Sequence, residues 1–427
     1  MRTTFLFPTA LTLSLLAATS SLPAQLGKFL PNPTFPGASH LLDVQGIVAK
    51  ATGSKAFNAM LGIARDNNAH YWVTSRRNVS SATNPHMLWE LWWDATKKAW
   101  QVKGYPQPAG VSKSNWGLRD LAFDGKRYLY GGAENLATGN TVFAFDVLLK
   151  KWDPTKNWKV PVVTGLTTTR ALAFDPNGDQ GKGSLWTCNF SSSHVEFNRA
   201  GKALRVLPNM SPFTYGAAFD PIRKTIWWWG QGDATLGKIY AIGAEMDAVT
   251  GKATGNRVLG DQKIPDPKYP GGFAGGAEFY MNGGTPTLLL LTQATADTAM
   301  EVYGRFSYGK ASAGTLGMNG FPPLVGWTKT PNFGFQVTGA KGSVAILMLG
   351  LSKIALPLGS GFLPGSSLYV APGIVVTAVP IVSGKASIPL PLPNVPALKG
   401  AATYWQSAEV LAGPTMGFSQ GGETILY

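Results

Sequence analysis

Between about residue 60 and residue 310 the chain repeats one pattern: an apolar run, a turn residue, then a second apolar or aromatic run. The clearest copies are "LAFDGKRYLYGG" (121–132), "LAFDPNGDQGKGSLWTC" (172–188) and "AAFDPIRKTIWWWG" (217–230). Looser copies, "GIARDNNAHYWVTS" (62–75) and "GAEFYMNGGTPTLLLLT" (276–292), flank them. Each reads as two short strands joined by a hairpin turn. A second two-strand motif follows each copy: "LWELWWDATKKAW" (88–100), "VFAFDVLLKKW" (142–152), "HVEFNRAGKAL" (194–204), "IYAIGAEMDAVTGKA" (239–253) and the looser "MEVYGRFSYGK" (300–310). Its turn residues Asp94, Asp146, Asn198 and Asp247 are spaced by 52, 52 and 49 residues. Four strands recurring at that interval predict an all-β fold: a five-bladed β-propeller over residues 60–325, one repeat per blade. Residues 25–59, with the Pro-rich "FLPNPTFPG", are expected to lead in and add a closing strand, or to build an irregular sixth blade.

Asp124, Asp175 and Asp220 occupy one hairpin slot. Asp175, Asn177 and Asp179 alternate as calcium ligands would. An EF-hand loop would also need Gly at 180 and Glu at 186, where this chain has Gln180 and Trp186. The other copies of the slot bring no further acids. The expectation is a turn aspartate capping backbone N–H groups, with no metal and no cofactor.

Residues 1–24 read as a secretory signal peptide: Met1-Arg2, an apolar stretch, then small residues before a cleavage point after Ala24. The most apolar later segment, "VAILMLGLSKIALPLG", is broken by Lys353, Pro357 and Gly359, so no transmembrane span is expected. A single cysteine, Cys188, excludes an internal disulfide. Gly 51 and Pro 30, with 44% hydrophobic residues, describe a turn-rich chain that can still fill a core. The net charge of +14 is scattered in singles and pairs, without a basic run or a nucleic-acid motif. The expectation is solvated lysines on turns and sheet edges; the alternative is that, on an exported chain, such a surface attracts anionic polysaccharide or a cell envelope.

From about residue 326 the texture changes. Apolar segments such as "FGFQVTG", "SVAILMLGLS", "SLYVAPGIVVTAVPIV" and "ATYWQSAEVL" alternate with Gly and Pro, which predicts a β-sandwich over 326–427. The propeller repeat resembles the NHL and quinoprotein-like class of secreted bacterial propellers. "GAEMDAVTGK" (243–252) is similar to the blade motif of quinone-dependent dehydrogenases. The C-terminal module resembles the Gly/Pro-rich sandwich appended to many secreted bacterial proteins. The quinone enzymes have eight blades and often a vicinal cysteine pair, so the resemblance implies the fold and not the cofactor.

No H-E-x-x-H, G-x-S-x-G, P-loop or C-x-x-C motif occurs. In a propeller, ligands meet the loops that enter each innermost strand. Aligning the repeats puts Arg119, Arg170 and Tyr215 at one equivalent position, with Trp116 and Asp120 beside them. The loops joining second and third strands add Arg76, Arg77, Glu134, Asn189, Gln231, Asp233 and Gln293, and Glu278 sits within an inner-strand run. Guanidinium pairs with carboxylates and aromatic rings stack on sugar faces. The expected function is a secreted or envelope-associated binding or scaffold protein whose partner is an extracellular glycan or protein. The alternative is a glycosidase-like hydrolase or lyase using a carboxylate pair from Asp120, Glu134, Asp233 and Glu278.

Overall fold

The computed structural model describes residues 28–31, 41–54, 56–77, 84–111, 114–133, 141–211, 213–231, 241–260, 264, 271–282, 285–308, 317–321, 334–371, 373–390, 402–412, 415–419 and 421–425. The expected signal peptide, Glu134 and Asp233 lie outside them. The chain is all-β, with one nine-residue helix near its start.

Strands β1 (Lys28–Pro31) and β2 (Leu41–Asp43) precede helix α1 (Val44–Thr52). Asp43 caps that helix by accepting the Gly46 N–H at 2.7 Å, and Gly53 ends it in the left-handed conformation. Four antiparallel sheets follow in sequence order. The first holds β3 (Phe57–Arg65), β4 (Tyr71–Arg77), β5 (Met87–Asp94) and β6 (Ala99–Pro106). The second holds β7 (Leu121–Phe123), β8 (Tyr128–Gly131) and β9 (Thr141–Asp146), edged by the short β10 (Lys151–Trp152) and β11 (Trp158–Lys159). The third is β12 (Ala171–Asp175), β13 (Ser184–Cys188), β14 (His194–Phe197) and β15 (Ala203–Leu207). The fourth is β16 (Thr214–Asp220), β17 (Thr225–Gln231), β18 (Ala241–Asp247) and β19 (Ala253–Leu259). A fifth set, β20 (Phe273–Asn282), β21 (Thr285–Gln293) and β22 (Thr298–Tyr308), takes β2 and β1 along β22. The N-terminal segment therefore adds two strands beside β22.

The first strands of the five sheets lie against one another in order. β3 contacts β7, β7 contacts β12, β12 contacts β16, β16 contacts β20, and β20 returns to β3. Strand periodicity fills the interfaces between sheets. In β17, Trp227 and Trp229 point toward Leu288 and Leu290 of the fifth set, while Trp228 points toward Trp186 and Ala173 of the third sheet. In β21, Leu289 and Leu291 face the first sheet. Burying one such indole removes roughly 200 Å² from water, about 5 kcal/mol as an upper bound. His194 lies flat on Trp228 at 3.8 Å between centroids, and burial pushes its pKa down to about 3, so it packs as a neutral ring.

The turns follow the sequence reading. Asp124 accepts the N–H groups of Lys126, Arg127 and Tyr128; Asp175 accepts that of Asn177; Asp220 accepts those of Ile222 and Arg223. Asp94, Asp146 and Asp247 do the same after the third strands. A further acid slot on the third strands escapes the sequence reading. Glu90, Glu196 and Glu245 sit opposite Trp72, Trp186 and Trp227 in register, and each meets a cation: Lys150, Arg205 and Arg223 respectively. Lys150 reaches from the second sheet to the first and stacks 4.5 Å over Trp72. Arg205 stacks 4.6 Å over Trp186 and donates to the Ala248 carbonyl of the fourth sheet. These contacts clip neighbouring sheets together.

The centre is held by one carboxylate. Asp120 has no exposed surface, and its Oδ1 accepts the N–H groups of Leu121 (2.9 Å) and Ala277 (3.1 Å). Its Oδ2 accepts those of Leu172 (3.0 Å) and Ala217 (2.9 Å). Inner strands of four sheets thus bond to a single side chain. The remaining inner strand, β3, comes so close that a Cβ on Gly62 would lie 2.1 Å from the Arg119 carbonyl oxygen and 2.8 Å from the Asp120 Cα. Gly276 is equally constrained: a Cβ there would lie 2.3 Å from Asp120 Oδ1. Burial pushes the Asp120 carboxyl above its ordinary range, against the pull of its four donors.

After β22 the chain enters a second region: β23 (Gly317–Phe321), β24 (Gly334–Thr338), β25 (Val344–Gly350), β26 (Lys353–Pro357), β27 (Ser367–Val370), β28 (Ile374–Pro380), β29 (Lys385–Pro389), β30 (Ala402–Val410), β31 (Met416–Phe418) and β32 (Gly421–Ile425). The β23–β24–β29 sheet packs on the sheet carrying β25 and β30 through Phe335, Val337, Ile388, Leu347 and Trp405. This is sandwich-like packing. The last strand, β32, pairs with β22 along Arg305–Tyr308, which joins the region to the fifth set by backbone hydrogen bonds.

Replacing Asp120 with Ala leaves four buried N–H groups without their acceptor. The expected loss is at least about 3 kcal/mol of unfolding free energy, read by urea denaturation; an unchanged midpoint would show that the carboxylate is dispensable.

Candidate functional site

At the end of the inner strands where the chain enters them, arginines and aromatic rings form one continuous stack. Arg76, near the end of β4, lies 4.0 Å over the Trp116 ring. Arg119, in the loop before β7, lies 4.8 Å from the same Trp116 ring and donates from Nη1 to the Tyr215 hydroxyl at 3.1 Å. Arg170, just before β12, lies 5.3 Å over Tyr215 and 3.7 Å over Phe190. Its Nε donates to Asn189 Oδ1 at 3.0 Å, and Asn189 in turn donates to the Thr167 hydroxyl at 2.9 Å. Phe213, half exposed, continues the stack beside Phe190.

Local backbone bonds hold these side chains in place. The Arg119 N–H donates to Gly132 O at 2.7 Å, the Asp120 N–H to Arg170 O at 3.2 Å, and the Arg170 N–H to Cys188 O at 3.2 Å. Phe190 takes a positive φ of 46° and bridges to Thr214, which turns its ring toward Arg170. Depth separates the roles. Arg119 is 2% exposed and Tyr215 4%, so they form the floor. Arg76, Trp116, Arg170, Asn189 and Phe190 are half-buried and form the reachable rim. A cation over a ring contributes about 0.5–1 kcal/mol when exposed and about 2 when desolvated, so rings can hold guanidinium groups in place without neutralising them. Chemically, the rim offers planar donors for a carboxylate and ring faces for a sugar or a second ring.

The structure thus brings Arg119, Arg170, Tyr215, Trp116 and Asn189 together. Gln231 ends β17 at the same end, where its N–H donates to the Phe213 carbonyl at 3.1 Å. Asp120 lies directly beneath and is not available to a ligand, because both oxygens are taken by buried backbone donors. Glu278 belongs elsewhere. It lies toward the far ends of the inner strands, 6% exposed, accepting the Phe123 N–H at 2.7 Å and the Phe279 N–H at 3.0 Å. The sequence reading passes over Phe190, whose only signal is its place next to Asn189 after an inner hairpin. Arg76, which the sequence reading places in the loop after a second strand, does join the stack.

No family model matches the chain, and no curated protein matches it. Among solved structures, the tail fiber of Staphylococcus aureus phage P68 aligns over 85% of this chain and 90% of that one, at 9% identity and a TM-score of 0.35. A likeness of that degree assigns neither a fold nor a function. Among the described residues, no helix is long and apolar enough to cross a membrane.

Two buried acids set an expected pH dependence. Burial pushes Glu278 up to about 8, against its two backbone donors. Burial likewise pushes Asp297, which accepts the Met60 N–H at 2.6 Å, up to about 7. Between their ordinary values and these raised ones, the folded chain binds more protons than the unfolded chain. The stability these two acids contribute is therefore fully present below the ordinary carboxyl range and is lost as pH rises through about 7 to 8. The melting temperature is expected to fall between about pH 5 and about pH 9, with a shallower fall in Glu278→Gln; equal slopes for the two proteins would remove Glu278 as a source.

Proposed function

We propose that the five sheets are the blades of a five-bladed β-propeller followed by a β-sandwich, and that the chain is an exported, non-catalytic binding protein. Its ligand is an extracellular glycan carrying carboxylates, held on the arginine–aromatic rim. The cyclic contacts of β3, β7, β12, β16 and β20, and their convergence on Asp120, support the propeller reading. The observation that carries the binding reading is the Arg76–Trp116–Arg119–Tyr215–Arg170–Phe190 stack, in which each guanidinium faces at least one aromatic ring. The net charge of +14 favours anionic partners at long range. The resemblance to secreted bacterial propellers and the signal-like start agree with export.

The hydrolase alternative has less behind it. Two of its four acids are described, and they do not face each other across a cleft: Asp120 is sealed at the centre, and Glu278 is bonded to β7 further along the inner strands.

The test is a titration of uronate-containing and neutral polysaccharides into the full chain, alongside hydrolase assays. Uronate polymers are expected to bind and neutral ones not, with affinity falling as salt rises. Arg170→Ala, with Arg119→Ala added as a second variant, is expected to weaken binding by about tenfold or more. Binding by the melting-checked Arg170→Ala protein at wild-type strength would remove the rim as the site, and release of sugar ends would replace binding with catalysis.

A further inference from the structure

Two phenylalanines at the rim hold backbone conformations that their own side chains disfavour. Among the described residues, nine non-glycine residues take a positive φ, and Phe190 (46°) and Phe213 (53°) are the only aromatic ones. The others are small, polar or charged residues in turns between paired strands. A bulky side chain in that region is strained, and it persists only where surrounding bonds over-determine it. Here they do. The Asn209 amide donates to the Phe190 carbonyl at 2.9 Å and to the Ser192 carbonyl at 2.8 Å, and its oxygen accepts the Ser211 N–H at 2.8 Å. The Phe190 carbonyl also accepts the Thr214 N–H at 3.2 Å, and the Phe213 carbonyl accepts the Gln231 N–H at 3.1 Å. The loop after β13 and the connection into β16 are thereby tied together. We propose that Phe190 and Phe213 form a rigid stacking ledge that makes the rim selective for gluco-configured uronate residues. The proposal rests on the glycan reading above and names the sugar class within it.

The strained backbone achieves ring exposure. Phe213 stays 51% exposed, its ring edge-on to Phe190 at 6.4 Å and 74°, and Phe190 in turn meets the buried Tyr215 ring at 6.2 Å. Folding gains little from a ring left half in water, so packing does not account for Phe213. Arg170 already lies 3.7 Å over the Phe190 ring, which leaves Phe213 as the ring a sugar would cover. A ring stacks on a sugar face that presents C–H groups. In β-linked glucuronate the ring substituents are equatorial, so both faces present C–H. Mannuronate and guluronate carry axial oxygens, and covering one strips it of water without giving it a partner. Loops fixed before the ligand arrives also spare binding the cost of ordering them.

Hyaluronan, with β-linked glucuronate, and alginate, built of mannuronate and guluronate, are the probes. Alginate carries the denser charge, so charge alone ranks it first; the ledge ranks hyaluronan first once salt screens the charges. Calorimetric titration of the full chain at about 0.5 M salt is expected to show hyaluronan binding about fivefold or more tighter than alginate. Phe213→Asn removes the ring and suits the left-handed backbone. It is expected to abolish that preference, to keep the wild-type slope of affinity against salt, and to melt no lower than wild type. Phe213→Tyr, which keeps a ring, is expected to keep the preference. Arg170→Ala is expected to flatten the salt slope and keep the preference, which separates the two contributions. Equal wild-type binding of the two polymers at high salt, or a retained preference in Phe213→Asn, would overturn the ledge while leaving uronate binding intact. Melting of Phe213→Asn well below wild type would make the ring structural and overturn the account of its strain. Failure of both polymers to bind at low salt would remove the glycan reading, and the ledge with it.

Discussion

Everything else in the structure is arranged around the Asp120 carboxylate. It is fully buried and accepts backbone N–H groups from the inner strands of four sheets, while the fifth inner strand approaches through Gly62. Donors on separate strands can share one small acceptor only if those strands converge to within a few ångströms. That convergence fixes how far each sheet can splay outward, and so where its loops begin. Arg119 is the neighbouring residue, and its carbonyl oxygen receives the Thr74 hydroxyl from the first sheet at 2.8 Å. The centre and the floor of the candidate site are therefore one piece of chain.

Outside that centre, two kinds of interaction share the work of joining sheets. Apolar burial supplies most of the free energy through alternating side chains, as in the three tryptophans of β17. Directional contacts then set the register between neighbours. Lys150 and Arg205 each reach an acid of one sheet, lie over a tryptophan, and originate beside or bridge to the next sheet. In Glu90 the cost of burial is overcome by hydrogen bonds from His70, Lys150 and Tyr105, which hold its pKa down to about 2. Glu278 faces a different balance, with backbone donors and no paired cation, and its pKa moves the other way. One residue type on the same scaffold is thus held ionised or held neutral according to its neighbours.

The same contrast distinguishes the two ends of the inner strands. At one end Arg76 and Arg170 lie over rings at a half-buried rim, with Arg119 on the floor beneath them. At the other, Arg65 and two buried acids, Asp66 and Glu278, line a cavity with aromatic walls. A rim suits an extended polymer that passes across it, and a cavity suits a ligand no larger than a ring or two.

The sequence by itself determined the repeats, their strand pairs and their turns. Alternation of apolar residues and turn aspartates are local signals, and they act over a few residues wherever the chain goes. Asp124, Asp175 and Asp220 cap the turns in which the repeats place them. Aligning the repeats also brought Arg119, Arg170 and Tyr215 to one level. The uses of the acids were decided by tertiary structure alone. Asp120 and Glu278 look in sequence like free carboxylates beside apolar runs; only convergence of strands about 50 to 157 residues away turns them into buried acceptors. The third-strand glutamates and Phe190 were hidden for the same reason: their partners lie on other strands or in neighbouring sheets, and no local pattern records a contact made across space.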